Sequence, residues 1–221
     1  MKILEQRLEK HINLLIERYP KLACVKNDIV EAYEVMAKSY ENDNKLLIAG
    51  NGGSAADSEH IAGELMKSFK IPRTISADTA KKLIEVDSIR GEKLATNLER
   101  GLTAIPLVAH EALTTAYIND VDGLCVFAQQ LYVLGRSGDV FLGISTSGNS
   151  SNILNAAVVA RAIGIKIIAL TGENGGELAK MADVAIKVPN NETYMIQELH
   201  LPIYHCLCMM LEDKFFGEKN E

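Results

Sequence analysis

The chain has 221 residues, 48% of them hydrophobic, and a formal charge of −6 at neutral pH. That length suits a single domain with a sizeable core, with room for a helical appendage. The acidic balance argues against a nucleic-acid partner held by a basic surface. No run approaches the roughly 18 apolar residues of a membrane span, and the opening residues, Met1 to Gln6, hold no apolar signal core. A cytoplasmic protein with neither membrane nor nucleic acid as partner is expected. Cys24, Cys125, Cys206 and Cys208 are sparse and irregular, so they read as reduced thiols. Cys206 and Cys208 flank one residue of a predicted helix and read as buried packing residues.

Residues 2–18 and 21–42 read as two amphipathic helices, a hairpin within 1–43. Leu4, Leu8, His11 and Leu15 form one stripe; Val25, Ile29, Ala32, Met36 and Tyr40 form another. Pro20 separates them, and Asn42-Asp43-Asn44 ends the second. Their apolar faces need a partner, either the main domain or another subunit. From residue 45 strands and helices alternate. Strands are predicted at 45–49, 104–108, 139–144, 165–171 and 184–188. Helices are predicted from the turn after the first strand to about residue 69, then at 150–163, 177–181 and 193–215. Uniformly apolar strands in strand–turn–helix repetition predict an α/β fold: a central parallel five-stranded sheet flanked on both faces by helices. Ligands of such sheets bind at the carboxyl ends of the strands. Residues 70–103 break the rhythm within this single domain of 1–221. Their charged sequence, with Leu83, Ile84, Leu94 and Leu98 scattered through it, reads as an inserted segment of one or two short surface helices, a lid or an intersubunit element.

Two turns fall at strand ends. Gly50-Asn51-Gly52-Gly53-Ser54 follows the first strand and opens a helix. Its glycines allow close backbone approach, and a helix N-terminus favours an anion. The plainer reading is a tight turn with Ser54 as N-cap. It is neither a Walker loop nor a dinucleotide fingerprint. Ser145, Thr146, Ser147 and Ser150 place four hydroxyls within six residues, more than a helix cap needs, and with backbone N–H groups they suit a phosphate.

His60 and Glu64 are four apart and share one helical face. Such a pair can hold a metal or pass a proton, or it can be a surface polar pair. Ile61, Ala62, Leu65 and Met66 around it indicate partial burial, where a charged residue needs a reason. Gln197 and His205 are harder to place. Eight helical residues rise about 12 Å, so by spacing alone each reads as a satisfied polar residue. A distorted turn or two subunits would be needed to bring both to one ion. His11 and His110 read as structural or surface residues.

Taken together, Gly50–Ser54, His60 with Glu64, Asn119-Asp120, Gly143–Ser150, Leu170-Thr171-Gly172 and Ile196–His205 occur in an order that resembles the sugar isomerase (SIS) fold. More narrowly, the set is similar to the phosphoheptose isomerase family. The resemblance covers most of residues 1–70 and 104–215. It implies an SIS-type three-layer sandwich and a homotetramer with active sites between subunits. It implies phosphate binding by Ser54, Ser145, Thr146, Ser147 and Ser150. Sugar binding would fall to Asn51, Gly52, Gly53, Glu64, Asn119, Asp120 and Gln197. A Zn²⁺ site would be formed by His60, Glu64, Gln197 and His205, with Glu64 and His205 as the acid/base pair. The implied reaction converts sedoheptulose 7-phosphate to D-glycero-D-manno-heptose 7-phosphate through an enediol.

Two features depart from the family pattern. The segment between Glu64 and Asp120 is about 27 residues longer than that pattern, a large excess for a connection. Met195 stands where an Arg often precedes Ile-Gln-Glu. Both bear on which sugar is used, and an SIS isomerase for another sugar phosphate is the alternative enzyme. A sister group of non-catalytic adaptors, which bind a replication-initiator protein, shares the fold and the Cys-Leu-Cys tail. It lacks the imidazole at the position of His205, so His205 with Glu64 favours an enzyme.

Overall fold

The structure, a computed structural model, describes residues 6–217; Leu4 of the first predicted stripe lies outside them. Helices α1 (Gln6–Arg18) and α2 (Lys26–Glu41) open the fold, joined by a 3₁₀ segment at Pro20–Val25. The helix expected from residue 21 therefore becomes α-helical only at Lys26. Pro20 fits this entry because its missing N–H is one that no first turn uses. Then follow β1 (Leu46–Ala49), α3 (Gly53–Met66), α4 (Ala77–Val86), α5 (Ser88–Asn97), β2 (Ala104–Pro106), α6 (Glu111–Asp120) and α7 (Val126–Leu134). The chain closes with β3 (Val140–Ile144), α8 (Ser151–Ala162), β4 (Lys166–Thr171), α9 (Gly176–Met181), β5 (Val184–Lys187) and α10 (Thr193–Phe216).

All five strands are parallel, in the order β2-β1-β3-β4-β5. Alternate strand residues face opposite layers, as the pleat requires. Leu46, Ile48, Leu142, Ile144, Ile168 and Leu170 pack with α1, α2, α3 and α10. Leu47, Phe141, Ile167 and Ala169 pack with α7, α8 and α9. Each Leu, Ile or Phe among them contributes about 1.5–3 kcal/mol on burial. This is the three-layer sandwich expected from the strand pattern. Strand order reverses direction between β1 and β3, and Ala49 lies level with Gly143 in the register. A crevice therefore opens beyond the carboxyl ends of these two strands.

Other elements also differ from the sequence reading: the strand predicted at 104–108 ends at Pro106, where Leu107–Ala109 turn into a 3₁₀ segment. Helix α3 stops at Met66, short of residue 69, because its last carbonyls are taken. Leu65 O accepts from Leu102 N and from Arg73 Nη1, and Glu64 O accepts from Arg73 Nη2. Helices α6 and α7 were not anticipated. No residue of α6 is buried, so it shows no apolar stripe, and the short apolar α7 reads as readily as a strand.

The inserted segment is a helical hairpin. Ser76 and Asp87 accept from the backbone N–H groups of Thr79 and Arg90 and cap α4 and α5. The helices cross at Gly91, where a Cβ would stand 2.3 Å from Leu83 O. An antiparallel bridge, Thr74 to Glu99, closes the base. Apart from Gly91 neither helix buries a residue, and Val86 and Ile89 are 88% and 81% exposed. Just before this base, Arg73 is 1% exposed and forms an ion pair with buried Glu212 of α10 at 2.8 Å. Glu212 also accepts from Phe69 N and Lys70 N at 2.8 and 2.9 Å. The C-terminal end of α3 is thereby fastened to α10.

Candidate active site

The crevice between β1 and β3 is bordered by two helix starts. Gly52, at φ 56°, precedes α3, and Ser150 precedes α8; among the described residues neither start has a side-chain cap. Ser150 Oγ instead meets Ser145 Oγ at 2.9 Å. Asn149 N donates to Ser147 Oγ, and Asn149 Oδ1 accepts from Glu177 N. Asn51 and Asn152 exchange two amide hydrogen bonds of 2.9 and 2.8 Å across the crevice. Gly148, at φ 68°, lets the turn press on the chain before α9, where a Cβ would collide with Gly175 O. Uncapped helix starts expose N–H groups and the positive end of the helix dipole. With Ser145, Thr146 and Ser147 around them they form an anion-binding surface. Ser54 is buried, but it lies inside α3 and is not its N-cap. Gln197 reaches the same helix start: its Nε2 would touch a Cβ on Gly53 at 2.7 Å.

Further along α3, a second group of side chains meets α10. His60 Nε2 lies 3.3 Å from Glu64 Oε1 and 3.4 Å from His205 Nε2. His60 Nδ1 lies 3.0 Å from Tyr204 Oη, and Tyr204 donates to Asp57 Oδ1 at 3.1 Å. Lys67 Nζ reaches Glu64 Oε2 at 3.1 Å. His60 is more exposed than its apolar neighbours suggested; Glu64 and His205 are partly buried. Burial first, and His60 second, lower the pKa of His205, keeping it neutral further into the acid range. Burial raises the pKa of Asp57 despite the opposing Tyr204 hydrogen bond. A cavity of about 350 Å³ opens on the outer side of His205, between α1 and α10, with Arg18, Tyr19 and Phe69 in its wall.

The structure thus brings His60, Glu64 and His205 together, and separately gathers Asn51, Gly52, Gly53, Ser54, Gln197 and the serine turn. Asn119 and Asp120, at the exposed end of α6, hydrogen-bond to each other at 2.8 Å. No hydrogen bond among the described residues ties them to either group. Among the described residues no group of three or more His, Cys, Asp and Glu converges on one metal position; the contacts around His60 are pairwise. Tyr204, Asp57, Arg73 and Glu212 were not foreseen. His11 and His110 are structural, meeting Asp213 and Gln130 at 2.8 and 2.7 Å. Cys206 and Cys208 are buried, as their positions on α10 predicted. No helix among the described residues is long and apolar enough to cross a membrane.

Sheet order, crevice and serine turn define an SIS-domain protein, and the SIS domain model matches residues 21–101 and 100–172. Phosphoheptose isomerase from Sulfurimonas denitrificans is 39% identical over 192 residues, 87% of this chain and 85% of that protein. The phosphoheptose isomerase of Aneurinibacillus thermoaerophilus is 40% identical over 180 residues, 81% of this chain and 78% of that protein. The solved structure of phosphoheptose isomerase GmhA from Neisseria gonorrhoeae superposes with a TM-score of 0.71 at 33% identity, covering 96% of this chain and all of that one. The Francisella tularensis phosphoheptose isomerase gives 0.73 at 30% identity, over 94% and 97%. The chain belongs to the phosphoheptose isomerase family, a family of sugar-phosphate isomerases.

Proposed function

We propose that this chain isomerises sedoheptulose 7-phosphate to D-glycero-D-manno-heptose 7-phosphate through an enediol. The observation that carries the reading is the meeting of Glu64 with His60 and His205 between α3 and α10, in a chain whose two uncapped helix starts offer a phosphate site. Ser54, Ser145, Thr146, Ser147 and Ser150 hold the phosphate, and Asn51, Gly52, Gly53, Asn119, Asp120 and Gln197 hold the sugar. Glu64 removes a proton from C1 of the ketose while the imidazole of His205 delivers a proton to O2, giving the enediol. Return of the proton from Glu64 to C2, with loss of the O1 proton to the imidazole, leaves the aldose. The shifted pair of electrons stays within the substrate, so no external oxidant or reductant is needed.

His60, Glu64, Gln197 and His205 would hold a Zn²⁺, which when bound supplies a Lewis acid for the developing enediolate. The donors suit it. Two imidazoles, a carboxylate and an amide are within its ligand chemistry, and tetrahedral bonds of about 2.0–2.1 Å separate neighbouring donors by about 3.4 Å. The separations at His60 Nε2 are 3.3 and 3.4 Å.

A homotetramer with active sites shared between subunits is part of this proposal. Ten residues of α3 separate Ser54 from Glu64, about 15 Å of helix axis, a long reach for one seven-carbon sugar within one subunit. Exposed Val86, Ile89, Leu113, Ile118, Val121 and Leu124 add apolar surface that a monomer rarely leaves open. We assign the α4–α5 hairpin to a subunit contact or the mouth of the site. The test is incubation with a panel of ketose phosphates, following aldose formation by NMR, with native mass spectrometry for assembly. No aldose from any ketose phosphate would refute the isomerase reading.

A further inference from the structure

Tyr204 is 1% exposed and sits between two site imidazoles, with ring centroids 5.4 Å from His60 and 5.0 Å from His205, each edge to face. A buried phenol needs a hydrogen-bond partner, and this one has two. Its single hydrogen goes to Asp57 Oδ1 at 3.1 Å, because an ionised carboxylate only accepts. His60 Nδ1, 3.0 Å from the same oxygen, must then supply the hydrogen of that contact. A neutral imidazole carries one N–H, so a hydrogen on Nδ1 leaves Nε2 as a bare lone pair. That lone pair faces Glu64 Oε1 and His205 Nε2. The direction of the relay is consistent: His60 Nδ1–H donates to Tyr204, and Tyr204 to Asp57. Asp57 stands three residues before His60 on α3 and Tyr204 is next to His205 on α10, so the relay also ties the two site helices at the level of the chemistry.

We infer that Tyr204 and Asp57 are positioning residues that lock His60 in its Nδ1–H tautomer, so that Nε2 is presented as an electron-pair donor to a cation held with Glu64 and His205. The inference rests on the proposed role of His60 at the metal and extends it to a support shell, in which partners of a ligating imidazole fix its tautomer and raise its basicity. Neither residue contacts the substrate in this role.

The test uses full-length protein labelled with ¹⁵N in its histidine rings, with His60 assigned by comparison with His60→Gln. Long-range ¹H–¹⁵N correlation at neutral pH separates the two tautomers. The wild type should show His60 with the hydrogen on Nδ1, and Tyr204→Phe should shift it toward Nε2–H or a mixture. Competition against a chromogenic chelator should show Zn²⁺ held about 10–100-fold more weakly by Tyr204→Phe. Asp57→Asn supplies the second variant should Tyr204→Phe lose its fold, and it should weaken Zn²⁺ in the same direction. An Nε2–H tautomer in the wild type overturns the inference. So does a variant that leaves tautomer and Zn²⁺ affinity both unchanged. A wild type that binds no Zn²⁺ refutes the metal reading instead, and the tautomer measured without metal still decides the relay.

Discussion

The crevice beyond β1 and β3 is assembled from loops, whereas the Glu64–His60–His205 cluster is assembled from the facing sides of two long helices. In the proposed reading the crevice would recognise its ligand with backbone N–H and small hydroxyls, placed by where strands end and helices begin. Several weak contacts share the load there, so no single side chain dominates. In the cluster, the proposed chemistry would depend on the separation and register of α3 and α10, since a small slip parts all the groups at once. That end of the site is accordingly braced by buried polar contacts, Tyr204 with Asp57 and Arg73 with Glu212. In the proposed reading, binding is spread over loops while chemistry is concentrated between braced helices.

The sharpest way to break this comparison is Glu64→Gln. It removes the base and keeps the shape, so kcat should fall about 10²- to 10⁴-fold, with thermal unfolding unchanged. A variant within a few-fold of wild type would take the chemistry away from the helix cluster.

Next in size is Arg73→Leu. It leaves the Glu212 carboxylate buried without its cation and should cost about 3–5 kcal/mol in urea unfolding. Pairing it with Glu212→Leu should restore part of that loss. An unchanged urea midpoint for the single variant would show that the brace does not matter.

Acid tests another side chain of α10, His200. Burial holds His200 neutral with a pKa of about 4, against 6.5 as the ordinary value; Thr171 O, 3.3 Å from its Nε2, opposes this only in part. The unfolded chain takes up this proton below pH 6.5 and the folded chain does not. The stability tied to neutral His200 is therefore complete above pH 6.5 and lost as the pH falls toward 4, about 3 kcal/mol in all. His200→Gln should flatten the urea midpoint across that window relative to wild type. Parallel curves for the two proteins would refute the assignment.

The smallest effect should come from the crevice. Ser145→Ala removes one hydroxyl, worth about 1 kcal/mol, so KM should rise by about tenfold or less with kcat nearly unchanged. A fall in kcat with constant KM would mean that the loops take part in the chemistry.

Much of the fold was written in local pattern. The five strands are apolar runs followed by turns, and the helices with strong stripes, such as Val25-Ile29-Met36 in α2, were legible for the same reason. Helix α6 was not, because only Thr114 and Tyr117 turn partly inward and they leave no apolar periodicity. The candidate residues were visible as motifs because glycines, hydroxyls and an imidazole–carboxylate pair sit close in sequence. His205 could be joined to His60 only through family resemblance. Tyr204 with Asp57 and Glu212 with Arg73 are separated by 147 and 139 residues. Nothing in either local sequence signals such a partner, since a buried ion pair and a satisfied phenol are products of packing.

The closed base of the α4–α5 hairpin makes that excursion a cassette. Thr74 and Glu99 stand opposite one another, Arg100 N donates to Arg73 O, and Arg73 is anchored to Glu212 before the excursion begins. The chain thus leaves and re-enters the domain at a fixed doorway, whatever lies between. Doubling the length of a flexible closed loop costs only about 0.6 kcal/mol in chain entropy. Residues 75–98 are therefore a graft point: a shorter turn, a reporter or another helical module could be exchanged there while the doorway keeps α3 in place against α10.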